Sequence, residues 1–202
     1  MDANMMWWLR SATQCSNSIC STPVIQAHLL RALEVSQYCD DRIYLAFGNL
    51  GRGVFAKRRI EEGEIILVFT GPVIGFTEAV AKGDKECWPL QIGHDRYIDL
   101  EEPGCYANHS CNPNAGIVQD RILVAIRGIA KDSEICYDYS TTVDEDHWSM
   151  ECRCGNEECR HLISDFKYLD PGVRRSYLNL GIVQSFIASQ QKDTGDIKRG
   201  RG

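Results

Sequence analysis

The 202-residue sequence contains no run of eighteen or more apolar residues, so no membrane-spanning helix is expected. It lacks a basic leader. Met5-Met6-Trp7-Trp8-Leu9 is apolar but short and has no cationic stretch before it, so a secretory signal is not expected. Positive charge is in short supply: 22 Lys and Arg face 28 Asp and Glu, a net charge of −6. Direct nucleic-acid binding draws its affinity from cationic contacts to phosphate, and this balance argues against it. The same balance suits a basic partner such as a lysine-rich peptide. Regular alternation of strands and helices is also missing. Gly51-Arg52-Gly53 is therefore not set in a strand–turn–helix unit, and a dinucleotide-binding reading fails. What the chain does have is cysteine. Ten cysteines without a secretory signal point to an intracellular, reducing compartment, and to metal ligands or free thiols rather than disulfides.

Along the chain, Ser21-Thr22-Pro23 has the form of a helix start, and Val24, Ile25, Leu29, Leu30, Leu33 and Val35 fall largely on one stripe. Residues 1–40 are read as a helical extension. From Ile43 the period changes. Strands are expected at 43–47, 54–56, 65–69, 87–92 and 97–100. A turn is expected at Gly48–Gly53, and a hairpin at 117–118 and 122–126 through Asp120-Arg121. A short helix is expected at 77–82. Many short strands with frequent turns predict a β-rich α+β domain. Helices are expected again at 171–180 and 182–190, broken at Gly181, before a glycine-broken basic tail. Asp144-Glu145-Asp146 reads as a solvated loop with an alternative use, attraction of a basic peptide.

Cys105-Tyr106-Ala107-Asn108-His109-Ser110-Cys111-Asn112-Pro113-Asn114 is too polar for a core strand, and its groups need local partners or a ligand. Downstream lie Glu134-Ile135-Cys136-Tyr137-Asp138-Tyr139 and a Cys-x-Cys-x4-Cys cluster of Cys152, Cys154 and Cys159. Three thiolates at that spacing are one short of a tetrahedral zinc site.

In their order and their letters, these segments resemble the SET-domain protein-lysine methyltransferases. The family's Asn-His-Ser-Cys-x-Pro-Asn motif is matched at Asn108 to Asn114, and its Glu-Leu-x-x-Asp-Tyr segment at Glu134 to Tyr139. The resemblance runs from about residue 43 to about residue 164. It implies a SET fold, small curved sheets around a knot-like core, over residues 41–142. It further implies a post-SET zinc motif over 148–164 and a C-terminal helical extension and tail over 165–202. The cofactor implied is S-adenosylmethionine, with Gly51, Arg52, Gly53, Trp88, Tyr106, Asn108, His109 and Tyr139 as its contacts. Where the family often has an Arg before the aromatic Tyr106, this chain has Cys105. The resemblance makes Tyr139 the residue that positions the reactants, and Tyr137 the Phe/Tyr switch that favours a single methyl group. It also makes Cys111 the fourth ligand of one structural Zn2+ with Cys152, Cys154 and Cys159. The partner implied is a lysine-bearing protein or peptide, such as a histone tail. A non-catalytic SET-fold peptide-binding module and a zinc-bearing nucleic-acid binder are the rival readings; intact Tyr139, Asn108 and His109 argue against the first, and the net charge against the second.

Overall fold

The computed structural model describes residues 41–82, 89–146 and 148–196. The expected N-terminal helix, Trp88 and the basic tail lie outside the described residues. Apolar residues here come in short runs of two to five between turns, which is enough to build small strands and nothing longer. Five small sheets result among the described residues. β1 (Ile43–Gly48) and β2 (Gly51–Ala56) form an antiparallel hairpin, with Gly48 opposite Gly51. The loop is therefore only Asn49-Leu50. This corrects the expected turn: Gly51, Arg52 and Gly53 belong to the strand. Gly51 has φ +96°, a left-handed value that closes so tight a loop and favours glycine.

β3 (Ile65–Val68), β9 (Ile122–Ala125) and β8 (Ala115–Val118) make the central antiparallel sheet in the order β3-β9-β8. β9 is buried at all four positions, as a middle strand covered on both faces must be. β4 (Val73–Ile74), β6 (Arg96–Asp99) and β5 (Pro89–Gly93) form a second antiparallel sheet in the order β4-β6-β5, leaving β5 at its edge. The short helix α1 (Phe76–Val80) lies between β4 and β5 in the chain. Its Ala79 packs with Ile74 and Tyr97.

β7 (Asn108–His109) and β10 (Cys136–Tyr137) pair in parallel, Asn108 opposite Cys136 and His109 opposite Tyr137. The polar motif thus does contribute a short strand, with His109 only 4% exposed. Polarity hid this because its partners come from distant segments. β11 (Met150–Glu151) and β12 (Leu162–Ile163) close a last small hairpin around the late cysteines.

The main core gathers Val54, Leu67, Leu123 and Tyr137 from these strands and Ile60, Phe69 and Ile135 from the segments beside them. At about 1.5–3 kcal/mol per buried large apolar side chain, this cluster supplies the main driving force for closing such short strands. α2 (Pro171–Leu180) begins with textless local chemistry: the Asp170 carboxylate accepts from the backbone N–H of Gly172 at 2.7 Å, and Pro171 takes the first helical position. It ends at Gly181, whose φ of +68° is the left-handed C-cap. α3 (Ser185–Asp196) follows. Tyr177, Ile182, Val183 and Ile187 from this region form a second core with Phe166 and Leu169, against Val118 and Ile126 of the domain. No helix among the described residues is long and apolar enough to cross a membrane.

Candidate active site

The β1–β2 hairpin brings Gly53 against two side chains from elsewhere. A Cβ on Gly53 would stand 2.4 Å from Glu134 Oε1 and 3.1 Å from Asn108 Nδ2. The missing side chain is thus what lets the hairpin lie against the polar motif. Asn108 spends both hydrogens of its amide here. Nδ2 donates to the Arg52 carbonyl at 3.1 Å and to Glu134 Oε1 at 2.7 Å. The side chain has only acceptor capacity left to offer. Arg52 turns outward over the Tyr106 ring, 4.2 Å from its centroid, and donates to the Tyr106 hydroxyl at 2.8 Å. That hydroxyl donates in turn to Glu102. Gly51, Arg52, Gly53, Tyr106 and Asn108 therefore lie together.

His109 carries the strand into the interior. Its Nδ1 accepts from the Tyr139 backbone N–H at 3.2 Å. The ring proton of the neutral imidazole therefore sits on Nε2, 3.4 Å from Cys111 Sγ. Burial lowers the imidazole pKa to about 4, so the neutral form is the one present near neutrality. The Tyr139 hydroxyl donates to the Ala107 carbonyl at 3.0 Å, across the same junction. Tyr139 and Tyr137 have ring centroids 4.9 Å apart, and Tyr137 stands edge-on to Phe69. Burial pushes the Tyr137 phenol up, keeping it neutral.

Both tyrosines line a cleft of about 380 Å³ with Leu90, Tyr97, Val143 and Trp148. Edge strand β5 forms one wall. The segment after Tyr139 forms the other. Glu145 lies at this wall and accepts from the Tyr97 hydroxyl. Asp144-Glu145-Asp146 is not the freely solvated loop expected. The backbone N–H groups of Glu145 and Asp146 donate to the buried Asp165 carboxylate at 3.1 and 2.7 Å, and the Asp144 N–H donates to Gln91.

Cys111, Cys152, Cys154 and Cys159 converge, with all four sulfurs within 4.8 Å of one another. Cys111 Sγ and Cys152 Sγ are 3.7 Å apart. Four thiolates around a zinc ion at about 2.3 Å would place sulfurs about 3.8 Å apart, so the donor set fits that metal. Backbone N–H groups support the sulfurs: Arg160 N donates to Cys111 Sγ and His161 N to Cys159 Sγ, each at 3.4 Å. Burial works against a Cys154 thiolate. Backbone donors overcome it and lower that thiol to about 7. Cys105 and Cys136 are free thiols outside the cluster.

Several residues of this region went unread in the sequence. Glu134 holds Asn108. Asp138, its side chain fully buried, is gripped in bidentate fashion by Arg160, at 2.7 Å to each oxygen. Tyr177 of α2 donates to the same carboxylate at 3.1 Å. The one available signal was local: an acid between two tyrosines in a buried-looking segment, and an arginine immediately after Cys159.

Residues 51–140 match the SET domain family. With its small sheets, its parallel β7–β10 pair and its cysteine cluster, this chain is a SET-domain protein. Among curated proteins it is similar to Histone-lysine N-methyltransferase trr of Drosophila melanogaster. The identity is 32% over 145 residues, covering 63% of this chain and 6% of that protein. It is 30% identical over 180 residues to the Variant-silencing SET domain-containing protein of Plasmodium falciparum (isolate 3D7), covering 76% of this chain and 7% of that protein. The H3 lysine-36 specific histone-lysine N-methyltransferase of Candida albicans (strain SC5314 / ATCC MYA-2876) is 34% identical over 127 residues, covering 54% of this chain and 15% of that protein. The chain thus spans a small part of the length of the curated relatives it matches.

Proposed function

We propose that this chain is a protein-lysine methyltransferase that uses S-adenosylmethionine as donor. The observation that carries the reading is the adjacency of two sites across one strand pair. Gly51–Gly53 meet Asn108 at the β7–β10 junction, His109 beside Asn108 packs on Tyr139, and the cleft lined by Tyr137 and Tyr139 opens next to it. When bound, S-adenosylmethionine supplies a sulfonium methyl group, whose bond to sulfur breaks as a bond to the lysine nitrogen forms.

The chain's own residues do the rest. By the family resemblance, Gly51, Arg52, Gly53, Trp88, Tyr106, Asn108 and His109 would hold the donor. The lysine amine, with a pKa of about 10.4 in water, must lose its proton before it can attack. An apolar wall of Leu90 and Val143 favours the neutral amine. Tyr139 orients the reactants; its hydroxyl is itself fixed by the Ala107 carbonyl. Tyr137, behind it, fills the space a methylated amine needs in order to turn, so the product is mainly monomethyl-lysine. A zinc ion held by Cys111, Cys152, Cys154 and Cys159 would be structural. All four positions are thiolates, leaving no open place for a reaction. Held there, it would tie the late cysteines to Cys111, two residues beyond the strand of Asn108 and His109.

The relatives' names make a histone tail the first substrate to test, and a nuclear setting follows from that substrate. Residues 41–142 act as the SET domain, 148–164 as the post-SET motif, and 165–202 as a C-terminal extension. The test is transfer of tritiated methyl from S-adenosylmethionine to arrays of unmodified lysine peptides, with the product read by mass spectrometry. Monomethyl-lysine is expected. Failure to label any peptide by a metal-loaded chain would refute the enzyme and leave a peptide-binding module. Abundant trimethyl-lysine would refute the single-methyl assignment.

A further inference from the structure

The Asp138 carboxylate is completely enclosed, and the donors that hold it come from three separate parts of the chain. Ser140 N, in its own turn, donates to Oδ1 at 3.1 Å. Arg160, just after the last cysteine of the flap, covers both oxygens at 2.7 Å. Tyr177, in the C-terminal helix α2 and 7% exposed, donates its hydroxyl to Oδ2 at 3.1 Å. The backbone around Asp138 is equally tied down. Its carbonyl accepts from Thr141 N at 3.0 Å and Thr141 Oγ1 at 2.7 Å. The next residue is Tyr139, whose backbone N–H is bound to His109. A buried carboxylate cannot drift from its donors without losing charge compensation. Where Asp138 is held, the start of the Tyr139 segment is held too.

We infer that Tyr177 and Arg160 are positioning residues for the Tyr139 segment, acting through Asp138, so that the C-terminal helix is a working part of the cleft and not just a cover. The inference rests on the methyltransferase reading for its kinetic consequence, but the anchor itself is a matter of local structure. α2 and α3 have other tethers that do not touch Asp138. On the surface Ser185 donates twice to Asp120, Oγ to Oδ2 and the backbone N–H to Oδ1, each at 2.6 Å, so Ser185→Ala weakens this tether. A merely structural extension would respond alike to the weakening of either tether. A positioning one would not.

The experiment compares the full metal-loaded chain with Tyr177→Phe, Arg160→Lys and Ser185→Ala. Tyr177→Phe keeps the ring and removes one donor. Arg160→Lys keeps the charge and removes the planar two-point grip. Two readouts are used. In hydrogen exchange, the amides of residues 138–142 should open about tenfold faster in Tyr177→Phe and Arg160→Lys, and no faster than in the parent chain in Ser185→Ala. In steady-state methyl transfer, kcat should fall about tenfold or more in the first two, with the KM for S-adenosylmethionine within about twofold. In Ser185→Ala, kcat should stay within about twofold of the parent.

Unchanged exchange at 138–142 in Tyr177→Phe would overturn the anchor. Faster exchange with unchanged kcat would overturn its role in catalysis. An equal loss of kcat in Ser185→Ala would reduce the extension to a cover. Should the parent chain transfer no methyl group, the methyltransferase reading fails on its own, and the exchange comparison still decides the anchor.

Discussion

Adding a single methyl group at Gly53 tests how the hairpin is coupled to Asn108. Gly53 lies in β2 with an ordinary extended backbone, so alanine is conformationally acceptable there. The new Cβ would stand 2.4 Å from Glu134 Oε1, well inside contact distance. The carboxylate is the movable party, because it is the end of a flexible side chain. Moving it stretches or breaks the 2.7 Å bond it accepts from Asn108 Nδ2. A hydrogen bond to a charged group contributes about 1.5–3 kcal/mol. Taking about 2 kcal/mol, a domain of this size should lose about 4–8 °C in Tm. Thermal unfolding by circular dichroism measures the shift. The cause is isolated by a double-mutant cycle. In Glu134→Ala the obstructing atoms are gone, so Gly53→Ala should then cost less than about 0.5 kcal/mol. In the otherwise unchanged chain, the KM for S-adenosylmethionine should rise severalfold with kcat moving less, because a loosened Asn108 weakens holding of the donor. Additivity of the two substitutions would refute this account, because the alanine would then be harmful for a reason unconnected with Glu134.

Chelation of the metal-loaded chain should abolish methyl transfer and raise hydrogen exchange across residues 150–164; retained activity in chain shown to be metal-free by atomic absorption would contradict the structural zinc. Cys154→Ser should lower bound zinc well below one ion per chain by the same measurement. Tyr137→Phe should shift the product toward di- and trimethyl-lysine in mass spectra, since it opens the space behind Tyr139. Gly116→Ala would put a Cβ 2.6 Å from Ile182 Cγ2 and should cost about 1–3 kcal/mol in urea unfolding, with the damage centred on the packing of α2 and α3 against the domain.

The parts that were legible in sequence are those written in local chemistry. Pro171 and Gly181 mark the bounds of α2 unaided, because helix-end signals act over a few residues. The hairpin of β8 and β9 is legible for the same reason: two apolar runs flank Asp120-Arg121. The meeting of Cys111 with the three late cysteines came from the family resemblance, and the pairing of Asn108 with the Tyr137 strand came only with the structure. No periodicity encodes them. Gly51–Gly53 misled because glycine serves turns and close-packed strands equally well, and only Glu134 and Asn108 decide between them. Asp144–Asp146 misled because three acids in a row look solvated, while their backbone donors have a hidden acceptor in Asp165. Arg160 carried only its place immediately after Cys159, and Tyr177 no signal. Their shared carboxylate lies 22 and 39 residues away in the chain, and nothing near either residue points to it.

That last separation bears on how the protein comes into being. Translation delivers the two tyrosines first, the cysteine flap next, and the hydroxyl that clamps Asp138 later still. At the moment the recognisable signature has emerged from the ribosome, the acid between the tyrosines has neither its guanidinium nor its phenol. A nonsense or frameshift lesion between Cys159 and Tyr177 would spare every diagnostic letter and still leave Asp138 without its phenol.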